Sequence, residues 1–173
     1  MLGSLKVAMR TSHAPVASAS RSAGFTLIEL MVVLAVVAVL ATLAAPSLRG
    51  YTAQQRVKNA SYDLAAALTN ARSEAVKRNE AVVLRPVTGS NWNTGWEVVV
   101  VTPGTSLITN QSSAELTVTC TAAGTGCAGV TYDGSGRITG DAPRLQFTST
   151  GASVPRCVSI DLNGRPGTKK GAC

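Results

Sequence analysis

The amino-acid sequence predicts an α+β protein in which a long N-terminal α-helix packs on a small antiparallel β-sandwich head. Three observations predict it. Phe25 to Ala45 is an apolar run whose one ionisable side chain is Glu29. Val57 to Ala75 repeats apolar or small residues every three or four positions. From Ala81 onward the chain breaks into short β-branched runs separated by Gly, Pro, Asn and Ser.

Residues 1–24 hold Lys6, Arg10 and Arg21, no acidic residue, and a Ser- and Ala-rich stretch closing on Gly24. That is the composition of a targeting leader rather than of a folded element. An ordinary secretory signal is cut after its apolar run. Here the small residue and the basic flank precede the run, so cleavage at Gly24 leaves the apolar helix on the mature protein. Met9 is an alternative start that would shorten the leader.

The run is long enough to cross a bilayer, which needs roughly 20 residues at about 1.5 Å each, and the positive-inside rule leaves Arg21 in the cytoplasm. An anchor alone does not explain Glu29, because an acid inside a membrane costs about 3 kcal/mol on insertion scales. Cleavage after Gly24 would set that acid about 6 Å, one helical turn, from a new amino terminus at Phe25. A free α-amine, its own or a neighbour's, can pair with it there.

Pro46 falls inside the helical pattern, where it removes a backbone hydrogen bond and kinks or loosens the helix without ending it. Beyond it, Val57, Ser61, Leu64, Leu68, Ala71 and Ala75 share one face, with Arg56, Lys58, Asp63, Arg72, Lys77 and Arg78 largely elsewhere. These features predict one helix from Phe25 to Arg78, roughly 80 Å by rise alone. Its first half suits a membrane or a filament core, and its second half presents an apolar stripe to the head. The chain divides into a removed leader (1–24), the N-terminal helix (25–79) and a β-rich head with a basic tail (80–173).

Predicted strands in the head are Ala81–Arg85, Trp96–Val101, Glu115–Thr119, Gly129–Tyr132, Arg144–Phe147 and Arg156–Leu162, with loops over Thr102–Ser113 and Thr121–Gly126. A head of about 90 residues supports one compact domain, not two. There is no internal repeat.

The leader carries three of the 16 basic residues and none of the nine acidic ones, so the mature chain has a formal charge of +4 rather than +7. His13, the one histidine, also lies in the leader. The mature chain therefore has no imidazole for a metal site or for a Ser/His or Cys/His pair. Cys120, Cys127, Cys157 and Cys173 all fall in the head, on the far side of the membrane from the basic leader. In an oxidising periplasm this even count points to disulfides. Proximity favours Cys120 with Cys127 and Cys157 with Cys173, other pairings staying open, and a four-cysteine zinc site is the alternative, though there is no CxxC.

Gly24, Phe25 and Glu29, followed by Leu30 to Ala41 without a polar residue and by Pro46, closely resemble the class III signal of type IV prepilins and type II secretion pseudopilins. The resemblance implies that a membrane aspartyl prepilin peptidase cleaves after Gly24 and methylates the amine of Phe25, and that Glu29 guides docking into a growing filament. Ala71-Arg72-Ser73-Glu74-Ala75, Lys77-Arg78-Asn79 and Val82-Val83-Leu84 are similar to the helix-to-strand junction of the GspH/FimT family. Trp92, Gly95-Trp96 and the turns Asp133-Gly134-Ser135-Gly136-Arg137 and Asn163-Gly164-Arg165 match its later landmarks. The implied protein is a pilin-like minor subunit. It would span the inner membrane once with a periplasmic head, then enter a type IV pilus with other major and minor pilins. A type II secretion pseudopilin shares every one of these residues.

The sequence shows no paired-carboxylate, nucleophile–base or phosphate-loop pattern, so the chain reads as a peptidase's substrate rather than an enzyme, and no cofactor is expected. Asp133 and Asp141 flank Gly-rich turns, but their spacing lacks the alternating oxygen donors of a calcium loop. Asn59-Ala60-Ser61 and Asn110-Gln111-Ser112 match the glycosylation sequon, a pattern frequent by chance.

Arg156, Arg165, Lys169 and Lys170 crowd the last eighteen residues against Asp161 alone, and Gly164, Pro166, Gly167 and Gly171 predict a flexible tail. A bond between Cys157 and Cys173 would turn that tail into a tethered basic loop able to meet double-stranded DNA through its phosphates. Some minor pilins of the resembled family bind DNA during natural transformation through a C-terminal Gly-Arg-x-Arg motif. Here Gly164-Arg165-Pro166-Gly167 lacks the second arginine, and Lys169 and Lys170 restore charge without its planar fork. The tail has no aromatic residue to stack on bases. The competing reading is a solvated tail with a structural disulfide.

Overall fold

A computed structural model describes residues 24–173 apart from 125 and 162, and describes no side chain from 43 to 47. The expectations for the leader, including Lys6, Met9, Arg10, His13 and Arg21, lie outside the described residues.

The first element, α1, runs from Leu27 to Arg78 and continues as helix through Pro46. Thr26 caps it: its Oγ1 accepts a hydrogen bond from the Glu29 amide at 3.2 Å, and its carbonyl accepts from Leu30 N. Asn79 ends it in the left-handed region with φ 53°. Asn79 N donates to the Val76 carbonyl and Glu80 N to that of Ala75, the paired bonds that close a helix C-terminus. Residues up to Leu40 and residues from Ala41 to Cys173 form separate units. Every side chain from Gly24 to Thr42 is exposed. Among the described residues no helix is long and apolar enough to cross a membrane; the apolar run of the sequence continues into positions 43–45, whose side chains are not described.

In the second unit the helix stripe is buried as its spacing predicts. Val57, Ser61, Leu64, Leu68, Ala71 and Ala75 lose all solvent contact, and the Ser61 hydroxyl is satisfied by the Lys58 carbonyl at 2.7 Å. This face meets two antiparallel sheets. The five-stranded sheet has the order β3-β2-β1-β5-β6, formed by β1 (Val82–Thr88), β2 (Asn91–Val100), β3 (Ser106–Asn110), β5 (Val130–Tyr132) and β6 (Ile138–Thr139). The four-stranded sheet has the order β4-β7-β8-β9, formed by β4 (Leu116–Thr121), β7 (Arg144–Ser149), β8 (Arg156–Ile160) and β9 (Pro166–Lys170). Trp92, Trp96, Val98, Leu84 and Tyr132 from one sheet share a core with Val118, Leu145, Phe147 and Val158 from the other. The sheets are stitched where the Asn93 side-chain oxygen accepts from Val118 N at 2.6 Å.

Three strands depart from expectation. The span Thr102–Ser113, expected as a loop, contains β3, and β6 was not foreseen. The tail expected to be flexible forms β9, in register with β8 from Arg156↔Lys170 to Ile160↔Pro166. It is fixed further by Gly171 N on the Pro155 carbonyl and by Cys173 N on Gln146 Oε1. Tight backbone pairing overrides the glycines and the proline here, because an edge strand needs hydrogen bonds on one side only.

Candidate functional site

At the amino end, Gly24 and Phe25 precede the helix and are exposed, Phe25 by 81%. Thr26-Leu27-Ile28-Glu29 places a hydroxyl at the cap and a carboxylate three residues on, the spacing of a capping box. A carboxylate in the first turn is favoured by the partial positive charge of a helix start. Glu29 thus has a local reason to stand where it does besides any pairing with an amine. The T-x-x-E spacing is visible in the sequence, where the lone acid of an apolar run draws attention to membrane cost and amine pairing rather than to a helix cap.

The four basic residues of the tail are not one cluster. The registers Arg156↔Lys170 and Cys157↔Lys169 put neighbours on alternate faces of the four-stranded sheet. On the face toward α1, the Arg156 guanidinium lies 5.2 Å from the Tyr62 ring centroid, and Lys58, Gln54 and Lys170 line the same cleft. On the opposite face, Lys169 and Arg144 line a second cleft with Asp161. Arg165 stands apart in the β8–β9 turn, its amide held by Asp161 Oδ1 at 2.7 Å. Among the described residues none of Lys58, Arg144, Arg156, Arg165, Lys169 or Lys170 forms an ion pair. Lys58 and Tyr62 were missed by sequence reasoning, since they lie on the helix about a hundred residues earlier.

The cysteines bond as Cys120–Cys127 and Cys157–Cys173, with Cα–Cα separations of 5.8 and 5.0 Å, and no cysteine is free. The second bond ties the chain beyond β9 to the interior strand β8. Among the described residues no group of acids, cysteines or histidines has the makings of a metal site.

Asp133 is occupied otherwise. Its Oδ1 accepts from Ser135 N, Ser135 Oγ and Arg137 N, and the Ser135 hydroxyl bond foremost holds the carboxyl below the usual carboxylate range. Asp161 builds the same five-residue turn, accepting from Asn163 N and Arg165 N. In both turns a glycine at φ 76° precedes the arginine. The turns dock on each other: a Cβ on Gly164 would come within 2.9 Å of the Gly136 carbonyl oxygen. Arg72 of α1 donates to that same carbonyl at 2.9 Å, and the Tyr132 hydroxyl donates to the Gly164 carbonyl at 3.1 Å. Burial pushes the Tyr132 phenol up to about 12. Residues scattered over the sequence landmarks thus make one buried junction of helix and turns.

The two tryptophans differ. Trp92 Nε1 donates to the Cys127 carbonyl at 2.9 Å, whereas Trp96 Nε1 is buried without a partner, its ring edge-on to Phe147. Trp96 lines a cavity of about 220 Å³ between α1 and the β3–β4 connection. A Cβ on Gly95, at φ 102°, would collide with the backbone of Asn110–Ser112, which fixes the wall of that cavity against β2. A buried donor left unpaired costs about 1–3 kcal/mol, so its retention calls for a reason.

Comparison with known proteins agrees with this architecture. The family described as type II transport protein GspH matches residues 60–164, and the prokaryotic N-terminal methylation motif matches residues 19–45. Two Pseudomonas aeruginosa fimbrial proteins are each 42% identical over 59 residues, which is 34% of this chain and 38% of theirs. The chain therefore aligns with well under half the length of those relatives. Crystal structures of the P. aeruginosa type IV minor pilin FimU in two space groups superpose with TM-scores of 0.56 and 0.52 at 22% identity. They cover 69% and 65% of this chain and 92% and 91% of FimU, and at that identity the likeness is one of fold. With its methylation motif, its long helix and its two antiparallel sheets, the chain belongs to the GspH family of type IV minor pilins and pseudopilins.

Proposed function

We propose that this chain is a minor subunit of a type IV pilus, cleaved after Gly24 by a prepilin peptidase, methylated at Phe25, and held in the inner membrane by its apolar helix until it joins other pilins. The observation that carries the proposal is the union in one chain of the methylation motif at residues 19–45 and a head with the minor-pilin fold. The alternative, a type II secretion pseudopilus, shares the same processing and the same fold. Glu29 serves as counter-charge to an incoming amine in addition to its place in the helix cap. Glu29→Ala is expected to leave membrane insertion normal and to lower recovery in sheared filaments; unchanged recovery would remove that role. Whether deletion of the pilus machinery or of the secretion machinery strands the protein in the membrane decides between the two systems.

A second role, capture of extracellular DNA for natural transformation, draws support from the unpaired cations on both faces of β9. With Arg156 and Lys170 on one face, Lys169 on the other and Arg165 at the turn, a duplex would meet the strand edge rather than a loop. Contacts would be to phosphates and sensitive to salt. In a titration of the mature chain with duplex DNA at two salt concentrations, changing Arg165, Lys169 and Lys170 together to alanine should weaken binding and flatten the salt dependence. Absence of binding by the unsubstituted chain at low salt rejects the role.

A further inference from the structure

Arg56, Lys77, Arg78 and Arg85 each have a carboxylate beside them. Lys58, Arg156 and Lys170 do not, and all three line one cleft of about 240 Å³ between α1 and the end of β9. Among the described residues no acid lines it. The positions four residues to either side of Lys58 hold Gln54 and Tyr62, so the helix offers it no counter-charge. The register sets Arg156 directly opposite Lys170, a like-charge pair that lowers stability. An anion in the cleft turns that repulsion into attraction.

The walls of the cleft are held in place. Gln54 grips Val154 through both ends of its carboxamide, Nε2 donating to the carbonyl at 2.9 Å and Oε1 accepting from the amide at 3.1 Å. Arg156 rests against the Tyr62 ring, and the strand that carries Lys170 is pinned where Gly171 N donates to the Pro155 carbonyl at 2.9 Å. A ligand therefore meets cations whose supports are already ordered.

Charge narrows the choice of anion. One carboxylate would leave two of the three cations uncompensated. A phosphate monoester carries roughly −1.5 to −2 at pH 7, and its three oxygens can accept from a helix lysine, a strand lysine and an arginine fork together. A duplex is a convex rod of singly charged diesters, suited to an exposed strand edge and not to a recess. We propose that this cleft binds a phosphate monoester between Lys58, Arg156 and Lys170. A lipid headgroup and a soluble ester present the same group, and the site does not depend on DNA capture.

The arginines make the test internal. In mature protein labelled with ¹⁵N-arginine and held in uncharged detergent, the Arg156 Nε signal is followed while methyl phosphate is added at constant ionic strength, with Arg144, in the cleft on the opposite face of the sheet, as reference. A saturable shift of Arg156 with Arg144 stationary is expected. Acetate and dimethyl phosphate should bind at least about threefold more weakly, and Lys58→Gln should weaken methyl phosphate about two- to fivefold, the worth of one partly exposed charge contact. Lys58 is exposed on the helix, so this substitution leaves the core intact. Arg165→Ala removes the same charge outside the cleft and should leave the affinity unchanged. No saturable shift, equal binding of acetate or dimethyl phosphate, an unaltered affinity in Lys58→Gln, or an equal loss in Arg165→Ala would overturn the proposal. Phosphatidic acid in the micelles binding more tightly than methyl phosphate supports the site and assigns the group to a lipid headgroup; equal or weaker binding assigns it to a soluble ester.

Discussion

Leu34 and Leu64 belong to the same helix, yet Leu34 is 58% exposed and Leu64 is fully buried. The stretch around Leu34 is apolar on every side, and the stretch around Leu64 is apolar along a stripe. A helix apolar all round has no preferred face to offer its own chain, so it calls for lipid or other helices as solvent. A striped helix can be satisfied by one partner, and here the chain supplies that partner as two sheets. The contrast teaches that one helix can be written for two surroundings, one intramolecular and one that must come from outside.

The contrast can be broken most forcefully by shortening core and non-core leucines. Leu64→Ala should destabilise the head by about 2–5 kcal/mol in a denaturant melt of the detergent-solubilised mature protein. Leu34→Ala should change that melt by less than about 0.5 kcal/mol. Equal effects would mean that both stretches are packed in the isolated chain.

A smaller effect, confined to the head, comes from Tyr132. Its folded-state pKa of about 12 exceeds the ordinary value of 10.0 because burial disfavours the phenolate. The resulting stability is complete below pH 10 and is lost as pH rises toward about 12, amounting to on the order of 2–3 kcal/mol. The difference in stability between the unsubstituted chain and Tyr132→Phe should therefore shrink or reverse across that window, and a difference independent of pH would refute the assignment. Within the head the smallest loss is that of Arg72→Ala, which removes the helix's bond to the Gly136 carbonyl and should cost about 1 kcal/mol. Its thermal shift should vanish in a chain whose turn already carries Gly136→Ala, since the φ of 76° and the contact with Val76 disrupt the same junction.

The helix stripe was legible because its period is local: Val57, Ser61, Leu64, Leu68, Ala71 and Ala75 announce a buried face without reference to what buries it. The longer strands were legible for the same reason. β3 and β9 were not, because Ser106–Asn110 has no buried residue and Pro166–Lys170 has the composition of a loop. Both are edges whose shape comes from the partner strand. Sequence proximity favoured the two disulfide pairs found in the structure. The basic residues of the tail were visible as charge, but their division between faces depends on the register with β8. The cavity at Trp96 joins residues from 56 to 116, and no local pattern describes it.

Trp92 and Trp96 sit in β2, and Tyr51, Tyr62 and Tyr132 also lie beyond Leu40, while Phe25 is the one aromatic residue of the first unit. Indole and phenol absorption and their fluorescence therefore come from the second unit alone. The protein carries an optical label in its second unit and leaves its apolar end dark, so tryptophan emission reads the state of β2 without any background from residues up to Leu40.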